Sequence, residues 1–226
     1  MELIASLAEA AQTNAHSEPP EGFSKGVRVQ HVALNTKEWG RAAQNERENQ
    51  IIVKEITIPF IDPEKPDNKY LVQTLTYDFE TPSLDEKEKE TLTLVAWGGG
   101  GSDAYSVVSY ATKLRDAVLK RPDFPYNVHL VIMPHLIGQA RIGDFEKSEN
   151  TLAEAAKISS QILKTPQLNV TDNIAFIGFS AGGAMATEVA AICQDDPHKT
   201  IHFAALCDAA GMADIESIAG KVAKTP

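Results

Sequence analysis

Only two cysteines, Cys193 and Cys207, occur in the 226 residues. They are too few for a disulfide framework or for a structural zinc, which takes about four ligands. Their small, apolar surroundings (AAICQ and AALCD) predict buried free thiols. Basic residues are also scarce: 21 Lys and Arg stand against 31 Asp and Glu, a net charge of −10 with a pI near 5.1. Phosphate surfaces demand clustered Lys and Arg, so nucleic acid and anionic membrane are excluded as expected partners. No apolar run approaches the roughly 18 residues that cross a bilayer, and no membrane span is expected. The N-terminus, MELIASLAEAAQ, carries Glu2 and Glu9 and has no basic stretch ahead of an apolar core. It does not read as a signal peptide, which leaves a cytoplasmic address as the default expectation.

What is present is ordinary globular composition, 43% hydrophobic and 23% charged, at a length that suits one sizeable α/β domain with an extension. Residues 1–49 read as an N-terminal helical and loop extension: an amphipathic helix over 2–13, a Pro- and Gly-containing loop to Phe23, a short strand over 27–33 and a polar surface helix over 36–48. The core spans 50–226. It opens with two strands, 51–58 and 70–79, paired as a hairpin around the Asp62-Pro63 turn. A mixed-charge run over 85–90 is a solvated loop. Strands at 91–97, 127–133, 173–177 and 201–206 then alternate with helices at about 104–120, 151–163 and 182–193. Alternation of this kind calls for a mostly parallel sheet with helices on both faces, here led by an antiparallel hairpin.

Two motifs in this core carry chemistry. Gly178-Phe179-Ser180-Ala181-Gly182 is a G-x-S-x-G sequence between an apolar strand and an apolar helix. A serine on so sharp a turn takes a strained backbone, and the flanking glycines avoid clashes where the chain folds back. The hydroxyl then projects above the sheet, and the Ala181 amide at the helix N-terminus faces the place where an oxyanion would develop. The second motif, Trp97-Gly98-Gly99-Gly100-Gly101-Ser102, ends an earlier strand, and its amides can supply a second oxyanion donor. The same glycines admit two other readings. Gly99-x-Gly101-x-x-Ala104 fits a dinucleotide fingerprint, although the next strand ends in Met133-Pro134-His135 and not in the acidic residue a ribose would require. Gly98 to Ser102 also spells a flexible linker unit, although it lies between a strand and a helix and joins no two domains, which leaves a structural turn as the other reading.

The glycine cluster, the loop Met133-Pro134-His135-Leu136-Ile137-Gly138-Gln139-Ala140-Arg141 after the next strand and the serine turn after the third resemble, in that order, the α/β-hydrolase superfamily over about residues 50–210. The resemblance implies an α/β-hydrolase-like fold, Ser180 as nucleophile, and an oxyanion hole formed by the amides of Ala181 and of Gly99 or Gly100. No cofactor and no metal are expected. Trp97 stands where esterases and lipases of this superfamily often carry a histidine.

In the superfamily an acid and then a histidine follow the serine, on later strands. Only 46 residues follow Ser180, room for one more strand and a short helix. The resemblance therefore implies a core truncated after its sixth strand, with the missing strands and histidine supplied by a downstream segment or a partner. Of the histidines present, His198 and His202 sit at the amino edge of the last strand, opposite the end where active sites gather. His129 is in mid-strand, and His16 and His31 precede the core. His135 follows a strand on the correct side but on a strand not adjacent to that of Ser180. Asp208 ends the last strand, where a minority of the superfamily place their acid. His135 and Asp208 are thus the weak candidates for completing a triad. The favoured expectation is a serine hydrolase acting on a carboxylic ester or related acyl bond of a small molecule; the alternative is a catalytically incomplete hydrolase-like binding module.

Overall fold

The computed structural model describes residues 26–35, 50–67, 69–81, 89–99, 103–121, 123–136 and 151–207. The helices expected over 2–13 and 36–48, most of the charged run 85–90, and Asp208 lie outside them. Seven strands form one sheet: β1 (Arg28–Asn35), β2 (Gln50–Ile61), β3 (Lys69–Phe79), β4 (Thr91–Trp97), β5 (Asn127–Met133), β6 (Asn173–Phe179) and β7 (Thr200–Cys207), in the spatial order β1-β2-β3-β5-β4-β6-β7. β1, β2, β3 and β5 pair antiparallel in turn, whereas β5, β4, β6 and β7 are mutually parallel. Five of the seven strands therefore point the same way. This is the mostly parallel, hairpin-led α/β sheet expected from the sequence. The short strand expected over 27–33 is its edge strand, in register with β2 from Arg28↔Thr57 to Asn35↔Gln50.

Burial explains the strand sequences. TLTLVAW, NVHLVIM and NIAFIGF are nearly continuous apolar runs because β4, β5 and β6 are covered on both faces. Three helices supply the cover: α1 (Val108–Leu119), α2 (Leu152–Ile162) and α3 (Ala181–Cys193). Val107, Val108 and Val118 pack with Leu92, Leu94, Ala96 and Ile132 on one face of the sheet. Residues of α2 and α3 pack with Val95, Trp97, Val131 and Phe176 on the other. The Trp97 and Phe176 rings stack at 6.2 Å between centroids.

Several boundaries differ from the sequence reading by one to three residues, and two of them bear on the site. β6 runs to Phe179, two residues further than expected, so Ser180 follows the strand directly. The helix after the glycine run begins as a 3-10 turn, Tyr105–Val107, before α1. One expectation is corrected: Cys193, the last residue of α3, is half-buried and not buried. Burial is still the largest influence on its thiol and pushes it up from the ordinary value. No helix among the described residues is long and apolar enough to cross a membrane.

Candidate functional site

Ser180 joins β6 to α3 at φ +53° and ψ −124°. A non-glycine residue rarely takes a positive φ, and among the described residues only Asn169 shares it. The neighbours impose this conformation. A Cβ on Gly178 would lie 1.9 Å from the Gly182 carbonyl oxygen and 2.3 Å from the Gly183 nitrogen. Strand end and helix start are thus in backbone-to-backbone contact, and any side chain at Gly178 would force them apart. The same closeness joins the turn to the glycine run after β4. A Cβ on Gly182 would meet the Gly98 carbonyl oxygen at 2.2 Å and Trp97 Cβ at 2.9 Å, and Trp97 is in register with Gly178.

Sheet topology explains why these two loops meet. From β4 the chain passes over the α1 face to β5, and from β6 it passes over the opposite face to β7. β4 and β6 are adjacent and the helices that follow them cover opposite faces of the sheet, which makes their carboxyl ends a topological switch point. Such switch points are where open α/β sheets bind ligands. Ser180 is exposed there and its side chain does not cap the helix. Ala181, the first residue of α3, is exposed as well. The first amides of a helix have no intrahelical acceptor, and the helix dipole adds partial positive charge to them. Gly98 is buried and Gly99 half-buried at the same rim; Gly100 lies outside the described residues.

The histidines are dispersed. His129, in mid-β5, is buried with both ring nitrogens engaged, one by the Asp78 carboxylate and the other by the Leu168 carbonyl at 2.7 Å. That hydrogen bond holds the Asp78 carboxyl below the ordinary aspartate range. His202 Nε2 lies 3.2 Å from Asn173 Oδ1, at the amino end of β6. His31 is exposed on the edge strand, and His198 is in the turn before β7. His135 follows β5 at the correct end, with β4 between it and β6. It is only 3% exposed and neither ring nitrogen has a hydrogen-bond partner, Ser180 included. Among the described residues no three His, Cys, Asp or Glu side chains converge as metal ligands.

One cluster near this rim was passed over in the sequence. Glu55 of β2 is 5% exposed; its carboxylate accepts from Gln30 Nε2 at 2.6 Å and from the Tyr105 hydroxyl. The available signal was the alternation Ile51, Val53, Glu55, which places a carboxylate in line with two buried aliphatic side chains.

No family model matches the chain, and no curated protein matches it significantly. Among solved structures it is similar to the juvenile hormone epoxide hydrolase of the silkworm Bombyx mori (14% identity, TM-score 0.41, 66% of this chain and 34% of that one). It is similar also to a hyperthermophilic esterase of the archaeon Pyrobaculum calidifontis (20% identity, TM-score 0.37, 63% and 40%). A third is a peroxisomal α/β-hydrolase of Saccharomyces cerevisiae (15% identity, TM-score 0.44, 75% and 42%). The chain thus spans between 34% and 42% of the length of these three structures.

Proposed function

We propose that this chain carries the nucleophile and oxyanion half of a serine hydrolase site acting on carboxylic esters or related acyl bonds. The observation behind the proposal is the backbone of Ser180: a positive-φ, exposed serine at a switch-point turn, against which the carbonyl of Gly98 packs through Gly182. Strained backbone persists only where the surroundings over-determine it, and it gathers at reactive groups. In the proposed reaction Ser180 Oγ attacks the acyl carbon and gives up its proton to a base. The tetrahedral oxyanion accepts hydrogen bonds from the amides of Ala181 and of Gly99 or its neighbour Gly100. The C–O bond to the leaving alcohol breaks, and the alcohol leaves with that proton. Water then attacks the acyl-enzyme, releases the carboxylic acid and restores the hydroxyl.

A serine hydroxyl is a weak nucleophile without an adjacent base. None of the described histidines hydrogen-bonds Ser180, an observation that favours the second reading, a hydrolase-like binding module. A fluorophosphonate probe separates the two. The enzyme reading expects stoichiometric labelling at Ser180, and turnover of p-nitrophenyl esters that falls about 10³-fold or more in Ser180→Ala. A wild-type chain that neither labels at Ser180 nor hydrolyses such esters belongs to the second reading.

A further inference from the structure

We infer that Tyr105 and Glu55 are positioning residues that fix the chain after the glycine run and thereby set the geometry of the oxyanion donor proposed at Gly99. The inference rests on the reading of Ser180 as a nucleophile. The run is held upstream by β4, where Trp97 is in register with Gly178 and the Gly98 carbonyl packs against Gly182. Glycines resist the loss of their conformational freedom more than any other residue, so a donor among them is precise only if the chain is also held on the far side. Tyr105 is the first residue of the 3-10 turn that follows the run.

Its phenol donates to Glu55, whose other carboxylate oxygen accepts from Gln30 Nε2 of the edge strand. Glu55 is level with the end of β4: across the sheet it pairs with Leu75, Leu75 with Ile132, and Ile132 with Ala96. Ala104, Val107 and Val108 are buried in the same layer. An aliphatic side chain at this position would satisfy the core as Ile51 and Val53 do, and burying a carboxylate is costly unless it is hydrogen-bonded. What the carboxylate adds is direction, because apolar contact has none. Burial and the neighbouring carboxylate also push the Tyr105 phenol up, so it remains a donor throughout the working pH range.

The test compares Tyr105→Phe, Glu55→Gln and the double variant Glu55→Leu/Tyr105→Phe with wild type in the full chain. The readouts are fluorophosphonate labelling rate, kcat and KM on p-nitrophenyl esters, and thermal denaturation. Tyr105→Phe and the double variant are expected to lose about tenfold in kcat and labelling rate with KM within about twofold, as a displaced donor does. The double variant keeps an apolar pair of similar volume and is expected to melt no lower than wild type. Glu55→Gln retains a carbonyl acceptor for Tyr105 and is expected to stay within about threefold of wild type. Wild-type labelling and kcat in the double variant would overturn the inference while leaving Ser180 as the nucleophile. So would a rate loss that tracks a lower melting temperature. A wild-type chain that is not labelled at Ser180, with the Ser180→Ala control equally silent, removes the nucleophile reading and this inference together.

Discussion

The backbone of Ser180 stores energy that a residue without Cβ would release. Conformations of this kind cost about 1–3 kcal/mol in non-glycine residues, and the turn is held in place by the close backbone approach that Gly178 and Gly182 permit. Ser180→Gly is therefore expected to stabilise the fold by about 1 kcal/mol after the extra flexibility of glycine in the unfolded chain is set against the relieved strain. For a chain of this size that is a rise of about 2–4 °C in Tm, read by thermal denaturation beside Ser180→Ala, which keeps its Cβ and gains no such relief. A Tm for Ser180→Gly below that of Ser180→Ala would contradict the strain. This turn was legible in the sequence because its stereochemistry involves five consecutive residues. Glu55 was not read as part of the site, since its partners Gln30 and Tyr105 lie 25 and 50 positions away.

Among elements, α2 shows how a helix start can be tied to a distant turn. Thr151 caps it in a capping box, accepting from the Glu154 amide while the Glu154 carboxylate accepts from the Thr151 amide at 2.8 Å. The same carboxylate meets Lys65 Nζ at 2.5 Å, and Lys157 meets Glu64 at 3.1 Å, joining α2 to the turn between β2 and β3. The Lys65 ammonium first, and then the Thr151 amide and hydroxyl, hold the Glu154 carboxyl at about 2. A folded-state value below the unfolded one means that this contribution is fully present above the unfolded value of about 4.5 and is lost as pH falls toward 2. The stability difference between wild type and Glu154→Gln is accordingly expected to shrink as pH is lowered from 5 to 2 and to be flat from 5 to 7. Denaturant titrations across that range check it, and a difference that widens on acidification would refute the assignment. Helix and turn were both readable in the sequence; the ion pairs between them were not, because they join positions 89 and 93 residues apart.

At the scale of the whole molecule, one sheet is shared by two hydrophobic layers. Leu94 belongs to the layer under α1, and Phe176 to the layer under α2 and α3; they lie on β4 and β6, which are hydrogen-bonded neighbours. Leu94→Ala and Phe176→Ala are each expected to cost about 3 kcal/mol. In both, tryptophan fluorescence and far-UV circular dichroism are expected to lose their midpoints together, since neither layer can detach without its strands. Separated midpoints in either variant would show the two faces to be independent. Among the described residues, the identity of the strands and helices, their order, and the glycines flanking Ser180 follow from the sequence alone, because periodicity, capping and steric exclusion act over a few consecutive residues. The tertiary structure alone decided that β4 lies between β5 and β6, that Gly98 packs against Gly182 beside Ser180, that His135 is buried and makes no hydrogen bond to that serine, and that Glu55 holds Tyr105. Those relations depend on which strands become neighbours and which face each crossover covers. They are settled by packing the whole chain around one sheet, and no short window of residues contains them.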